Sequence, residues 1–173
     1  MRNLSQNPRK AAGFTLIELV VVITIIAILA ATALPRFVDL QRDARISKIQ
    51  AIFGSIKSAS AMAHARCITD LSQGLVAVGT CGNAAPSATM EGTAVTMVNQ
   101  YPTANAAGIL AAANISAASD ALTISAGGAA SPQAITMDVV GATTAATCRV
   151  TYNAALVGPP IVAPVIAVLT AGC

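Results

Sequence analysis

The sequence predicts an α+β fold: one long N-terminal helix laid against a small antiparallel β-sheet. Three observations predict it. An apolar run from Phe14 to Leu34 is long enough for a continuous helix, and helical periodicity resumes after Pro35. After Cys67 the texture changes to short β-prone runs divided by Gly, Asn, Pro and Ser clusters. All four cysteines lie in that second part, where a core with only 3% aromatics and no Trp needs covalent staples.

Residues 1–13 form a short basic leader carrying Arg2, Arg9 and Lys10. Its small residues Ala11, Ala12 and Gly13 precede the apolar run. A cut there removes the charges and keeps the hydrophobic segment, the reverse of ordinary signal-peptide processing. Residues 14–35 read as a membrane span: 14–34 would rise roughly 31 Å as a helix, about the thickness of a bilayer core. The basic leader predicts an N-terminus held in the cytoplasm and the rest of the chain outside. Residues 36–66 continue as an amphipathic helix, with Phe37, Leu40, Ala44, Ile49, Ile52, Phe53, Ile56, Ala59 and Ala63 near one face. The pattern carries helix from Phe14 to about Ala65.

Residues 67–173 form the β-rich head. Strands are predicted at "LVAV" (75–78), "TAVTMV" (93–98), "ALTIS" (121–125), "AITMDVV" (134–140) and "TCRVTYN" (147–153), with "GNAAPSA" and "SAGGAASP" as separators. In "TCRVTYN" the alternation puts Cys148, Val150 and Tyr152 on one side. "NAAGILAAANI" (105–115) reads as a short helix. The proline-broken tail reads as an edge strand at about 165–170, anchored by Cys173.

Two residues contradict the membrane segment. Glu18 places a carboxylate where lipid makes charge expensive, so it needs a partner. Pro35 interrupts a helix whose pattern resumes at Phe37, which favours a kink or a locally melted turn over a stop.

The chemistry-bearing residues are sparse. Cys67, Cys81, Cys148 and Cys173 allow three pairings; Cys67–Cys81 and Cys148–Cys173 are favoured because each closes a short loop in an oxidising compartment. His64, the lone histidine, reads as a helix-end residue beside a disulfide and not as a metal ligand. The seven carboxylates are scattered, and no nucleophile, phosphate-binding loop or zinc spacing appears. No enzyme, metal or cofactor site is predicted. The net charge of +3 resides in the leader, while the stretches before and after Cys67 carry opposite signs. That balance favours attraction between the two and gives no firm support for a nucleic-acid surface.

"GFTLIE" followed by a long apolar run resembles the N-terminus of type IV pilins and type II secretion pseudopilins. "LPRFVDLQRDAR" (34–45) and "VNQYPTANAAGILAA" (98–112) look like the major pilin of mannose-sensitive haemagglutinin (MSHA) pili. The resemblance implies a pilin fold and cleavage between Gly13 and Phe14 by a prepilin peptidase, with N-methylation of Phe14. It implies an inner-membrane precursor whose head is periplasmic. Subunits would then leave the membrane, with an assembly platform and its ATPase, to form a helical homo-oligomeric filament outside the cell. Glu18 would act in assembly and Pro35 as the helix kink. The implied role is surface attachment, with motility and DNA uptake left open. A pseudopilin of a type II secretion system is the alternative.

Overall fold

A computed structural model describes residues 13–74, 86–125, 127–128, 133–156, 160 and 162–173. The leader, the expected strand 75–78 and Cys81 lie outside the described residues. The chain divides into two compact units, Met1–Leu40 and Gln41–Cys173. In the first, residues 16–40 are helical and every side chain from Gly13 to Leu40 is exposed. They belong to helix α1, Leu16–Ser72, which contains Pro35.

The second unit is built on the remainder of α1. Its buried residues Ile49, Ile52, Ile56, Ala59, Ser60, Ala63, Cys67 and Asp70 recur three or four apart, so they form one stripe. The helix runs past the expected end near Ala65. Nothing before Gly74 stops it, and Cys67 and Asp70 extend the buried stripe another turn.

Two antiparallel sheets, not one, cover that stripe. The first is β1 (Pro86–Met90), β2 (Thr93–Val98) and β3 (Tyr101–Pro102), in that order. A π-helical turn, Ala106–Leu110, and helix α2, Ala111–Ala113, follow it. The second sheet is β4 (Leu122–Ser125), β5 (Ala134–Val139), β6 (Arg149–Asn153) and β7 (Val165–Leu169), each paired with its sequence neighbour. β7 is an edge strand, as the sequence predicts.

Both turns of the first sheet are tight. Met90 pairs with Thr93 across Glu91–Gly92, and Val98 pairs with Tyr101 across Asn99–Gln100. All four turn residues have positive φ, the twist a two-residue antiparallel connection requires.

The sheets divide the helix between them. Ile49, Ile52 and Ile56 pack with Leu122, Ile135, Met137, Val139, Val150 and Tyr152. Ala63 and Cys67 pack with Ala88, Val95 and Met97. Tyr152, fully buried on β6, joins the two regions: its hydroxyl donates to the Pro102 carbonyl of β3 at 2.7 Å.

Candidate assembly site

In the first unit Gly13 and Phe14 precede the helix, and Phe14 is 89% exposed. Helix α1 begins with a capping box, Thr15 to Glu18. The Thr15 amide and hydroxyl both donate to Glu18 Oε2, at 2.9 and 2.8 Å, and the Glu18 amide donates to the Thr15 hydroxyl at 3.3 Å. Glu18 thus has a partner before any neighbouring chain arrives. Sequence reasoning passed over Thr15, although Thr-x-x-Glu before an apolar run is a readable helix-start signal.

From Leu19 to Leu34 the exposed surface carries no charged side chain. The large apolar residues from Phe14 to Leu40 are 44–89% exposed. Thr24 and Thr32 hide their hydroxyls by donating to the carbonyls of Val21 and Leu29, at 2.8 and 2.9 Å. The helix is long and apolar enough to cross a membrane. Residues 28–38 are helical throughout, so no turn is melted around Pro35 in the single chain. Proline has no amide hydrogen, so the carbonyl four residues earlier, on Ala31, lacks its helical donor.

In the second unit Cys148 and Cys173, both buried, form a disulfide. Cys67 is also disulfide-bonded; its expected partner, Cys81, lies outside the described residues. Next to the first bridge, Arg45 Nε donates to the Cys173 carbonyl at 2.7 Å, and Lys48 Nζ donates to the Ala121 carbonyl at 3.3 Å. The basic helix therefore holds the head through main-chain oxygens.

The remaining polar groups hold the fold. Across β5 and β6, Asp138 and Arg149 face each other: Nη2 donates to Oδ2 at 3.1 Å, and Nε lies 2.8 Å from Oδ1. Arg66 Nε donates to the buried Asp70 carboxylate at 3.0 Å, one turn along α1. His64 stacks on Tyr101, ring centroids 4.0 Å apart and nearly parallel. Its Nδ1 lies 2.9 Å from the Gln100 carbonyl, which only accepts, so that nitrogen carries the hydrogen. The histidine is a packing residue inside α1, about one helical turn before Cys67. Among the described residues no three His, Cys, Asp or Glu side chains gather as a metal would require.

Residues 8–34 match the prokaryotic N-terminal methylation motif. Over 54 residues, 31% of this chain, the sequence is 52% identical to the type IV narrow pilus major component PilA5 of Thermus thermophilus. Over 57 residues, 32% of this chain, it is 51% identical to the fimbrial protein EcpB of Eikenella corrodens. These alignments span 47% and 36% of those relatives' own lengths, so the chain covers less than half of each. No solved structure matches the chain.

Proposed function

We infer, from its methylation motif and N-terminal relatives, that this chain is a type IV pilin and serves as a structural subunit of an extracellular pilus. The observation that carries the inference is the first unit: an exposed Gly13–Phe14 junction, a capped Glu18, and a helix with apolar side chains on every side. Such a surface requires lipid or other copies of itself. In this reading a prepilin peptidase cuts between Gly13 and Phe14, and the Phe14 amine is methylated. The precursor spans the inner membrane with its head in the periplasm. A platform protein and an ATPase then drive copies into a helical filament with these helices at its centre. Glu18 meets the Phe14 amine of a neighbour and sets the axial register, because an unpaired charge in low dielectric penalises every other register. Around Pro35, where Ala31 already lacks a donor, the helix unwinds locally on assembly. The likeness of residues 34–45 and 98–112 to the MSHA major pilin makes attachment to surfaces the favoured role of that filament.

The test is to shear surface filaments from the source cells and sequence their main subunit. This chain beginning at Phe14 is the expected result. The chain found only in the envelope fraction would overturn the pilus reading in favour of a type II secretion pseudopilin, which shares the same N-terminal features.

A further inference from the structure

We propose that the free edge of β7 is a head-to-head contact in the filament, docking on the head of a neighbouring copy; this rests on the pilus reading. Among the described residues β7 pairs on one side only, with β6. Its inward residues Ile166 and Val168 pack on the core. Its outward residues are also apolar, with Val165 61% and Leu169 48% exposed. The rest of that outer sheet face is polar apart from the part-buried Ala134 of β5, opposite Asn153. Leu169, Ala167 and Val165 stand opposite Arg149, Thr151 and Asn153 of β6, and Thr136 and Asp138 follow on β5. Among the described strand residues of that face, the large exposed apolar side chains are therefore confined to the edge strand. Leu156 and Val162, bridged to each other and half-exposed, add to it.

Free edges are ordinarily guarded by charge. Here no Asp, Glu, Lys or Arg occurs from Val150 to Cys173. The strand is also held in place. Cys173 is bridged to Cys148 and gripped by Arg45, and Gly172 exchanges backbone hydrogen bonds with Thr144 and Thr147 at 3.0 Å each. A side chain at Gly172 would collide with Thr147 and Thr144, so this anchorage tolerates only glycine. The edge is thus a rigid, uncharged surface.

Its size identifies the occupant. Four partly exposed aliphatic side chains bury far less than the roughly 800 Å² per partner of a stable interface. A freely diffusing protein would not stay bound. A partner already held alongside would, because tethering supplies an effective concentration in the millimolar range. Copies packed through their helices meet that condition. β7 pairing with its own counterpart would make a two-fold contact that closes at a dimer, whereas a growing filament needs a heterologous one. The surface met is therefore a different part of the neighbouring head.

The test places the photo-crosslinking residue p-benzoylphenylalanine at Leu169, and separately at Val165, in the full chain. Irradiated filaments should give covalent dimers, with the second site in the head of another copy at a different position. The same chain dispersed in detergent should give none. In the double variant Val165→Lys, Leu169→Lys, surface filaments should fall at least tenfold, with the chain retained in the membrane and Cys148–Cys173 closed. Filaments that yield no dimers at either position, or whose adducts reach only the same position or other proteins, overturn the contact alone. A wild-type surface fraction lacking this chain overturns the pilus reading and the contact with it.

Discussion

Tyr152 shows how much a single side chain can carry in a core with few aromatics. Its ring lies among the aliphatics of the second sheet, while its hydroxyl donates to Pro102 of the first and meets Ser60 of the helix. Tyr152→Phe keeps the ring but leaves a buried carbonyl without its donor. The expected cost is about 1–2 kcal/mol, measured by urea unfolding of the full chain in detergent. Burial also pushes the phenol well above its ordinary value of 10.0, outweighing the Ser60 hydrogen bond. The unfolded chain then loses this proton at lower pH than the folded one. Stability is fully present below pH 10 and falls as pH rises above it. Tyr152→Phe should flatten that alkaline decline, which the same unfolding curves at pH 9 and 11 would reveal. Ala121 tests the opposite direction. It sits at φ 45 with no glycine to relieve it, held there by hydrogen bonds from Lys48 and Val140 to its carbonyl. Ala121→Gly should stabilise the head by roughly 0.5–1 kcal/mol, because a Cβ in left-handed backbone costs more than the chain entropy glycine adds.

At the scale of elements, the second sheet was legible because its strands alternate. "TCRVTYN" separates Cys148, Val150 and Tyr152 from Arg149 and Thr151, and those three are buried. The run "TAVTMV" coincides with β2, and the edge strand with β7. The first sheet was half-hidden. β1 begins at Pro86 in a stretch whose Gly, Asn and Ser content signals a loop, and β3 is only two residues long. Pairing with β2 makes strands of both, and no local pattern reports a partner's register. The 105–115 helix was legible in existence but not in kind. Its first turn is π-helical, with Gly108 pressed on Thr103 so closely that any side chain there would collide. Of the candidate assembly site, the Gly13–Phe14 junction, Glu18 and Pro35 stand out in the sequence itself, whereas the Arg45 and Lys48 contacts required the folded head. The Cys148–Cys173 bridge is the element-scale staple for β7. It closes a separation of 25 residues, for which chain entropy gives about 3–4 kcal/mol. Replacing both cysteines with serine should lower stability by that amount. Hydrogen exchange should report the loss first in β7, whose far end would then be held only by hydrogen bonds, those of Gly172 with Thr144 and Thr147 and that of Arg45 to Cys173.

For the whole molecule the decisive question is what Glu18 does in each of its two environments. In the single chain its carboxylate is already satisfied by Thr15, through a hydroxyl and an amide of its own helix. Helix capping alone therefore explains a hydrogen-bonding side chain at this position, and it does not require a negative charge, since Gln caps as Glu does. Register-setting by the Phe14 amine of a neighbour requires the charge itself. Glu18→Gln separates the two. It should preserve the capping box, membrane insertion and cleavage before Phe14, yet lose surface filaments as completely as Glu18→Ala. Thr15→Val supplies the converse: the hydroxyl is lost, the charge remains, and filaments should persist at reduced yield. Sheared-filament immunoblots give the yield, and N-terminal sequencing of the membrane fraction confirms cleavage in each variant. Normal piliation by Glu18→Gln would show that capping is the whole of the residue's role. The register would then have to come from elsewhere, and the head contacts would be the next place to look.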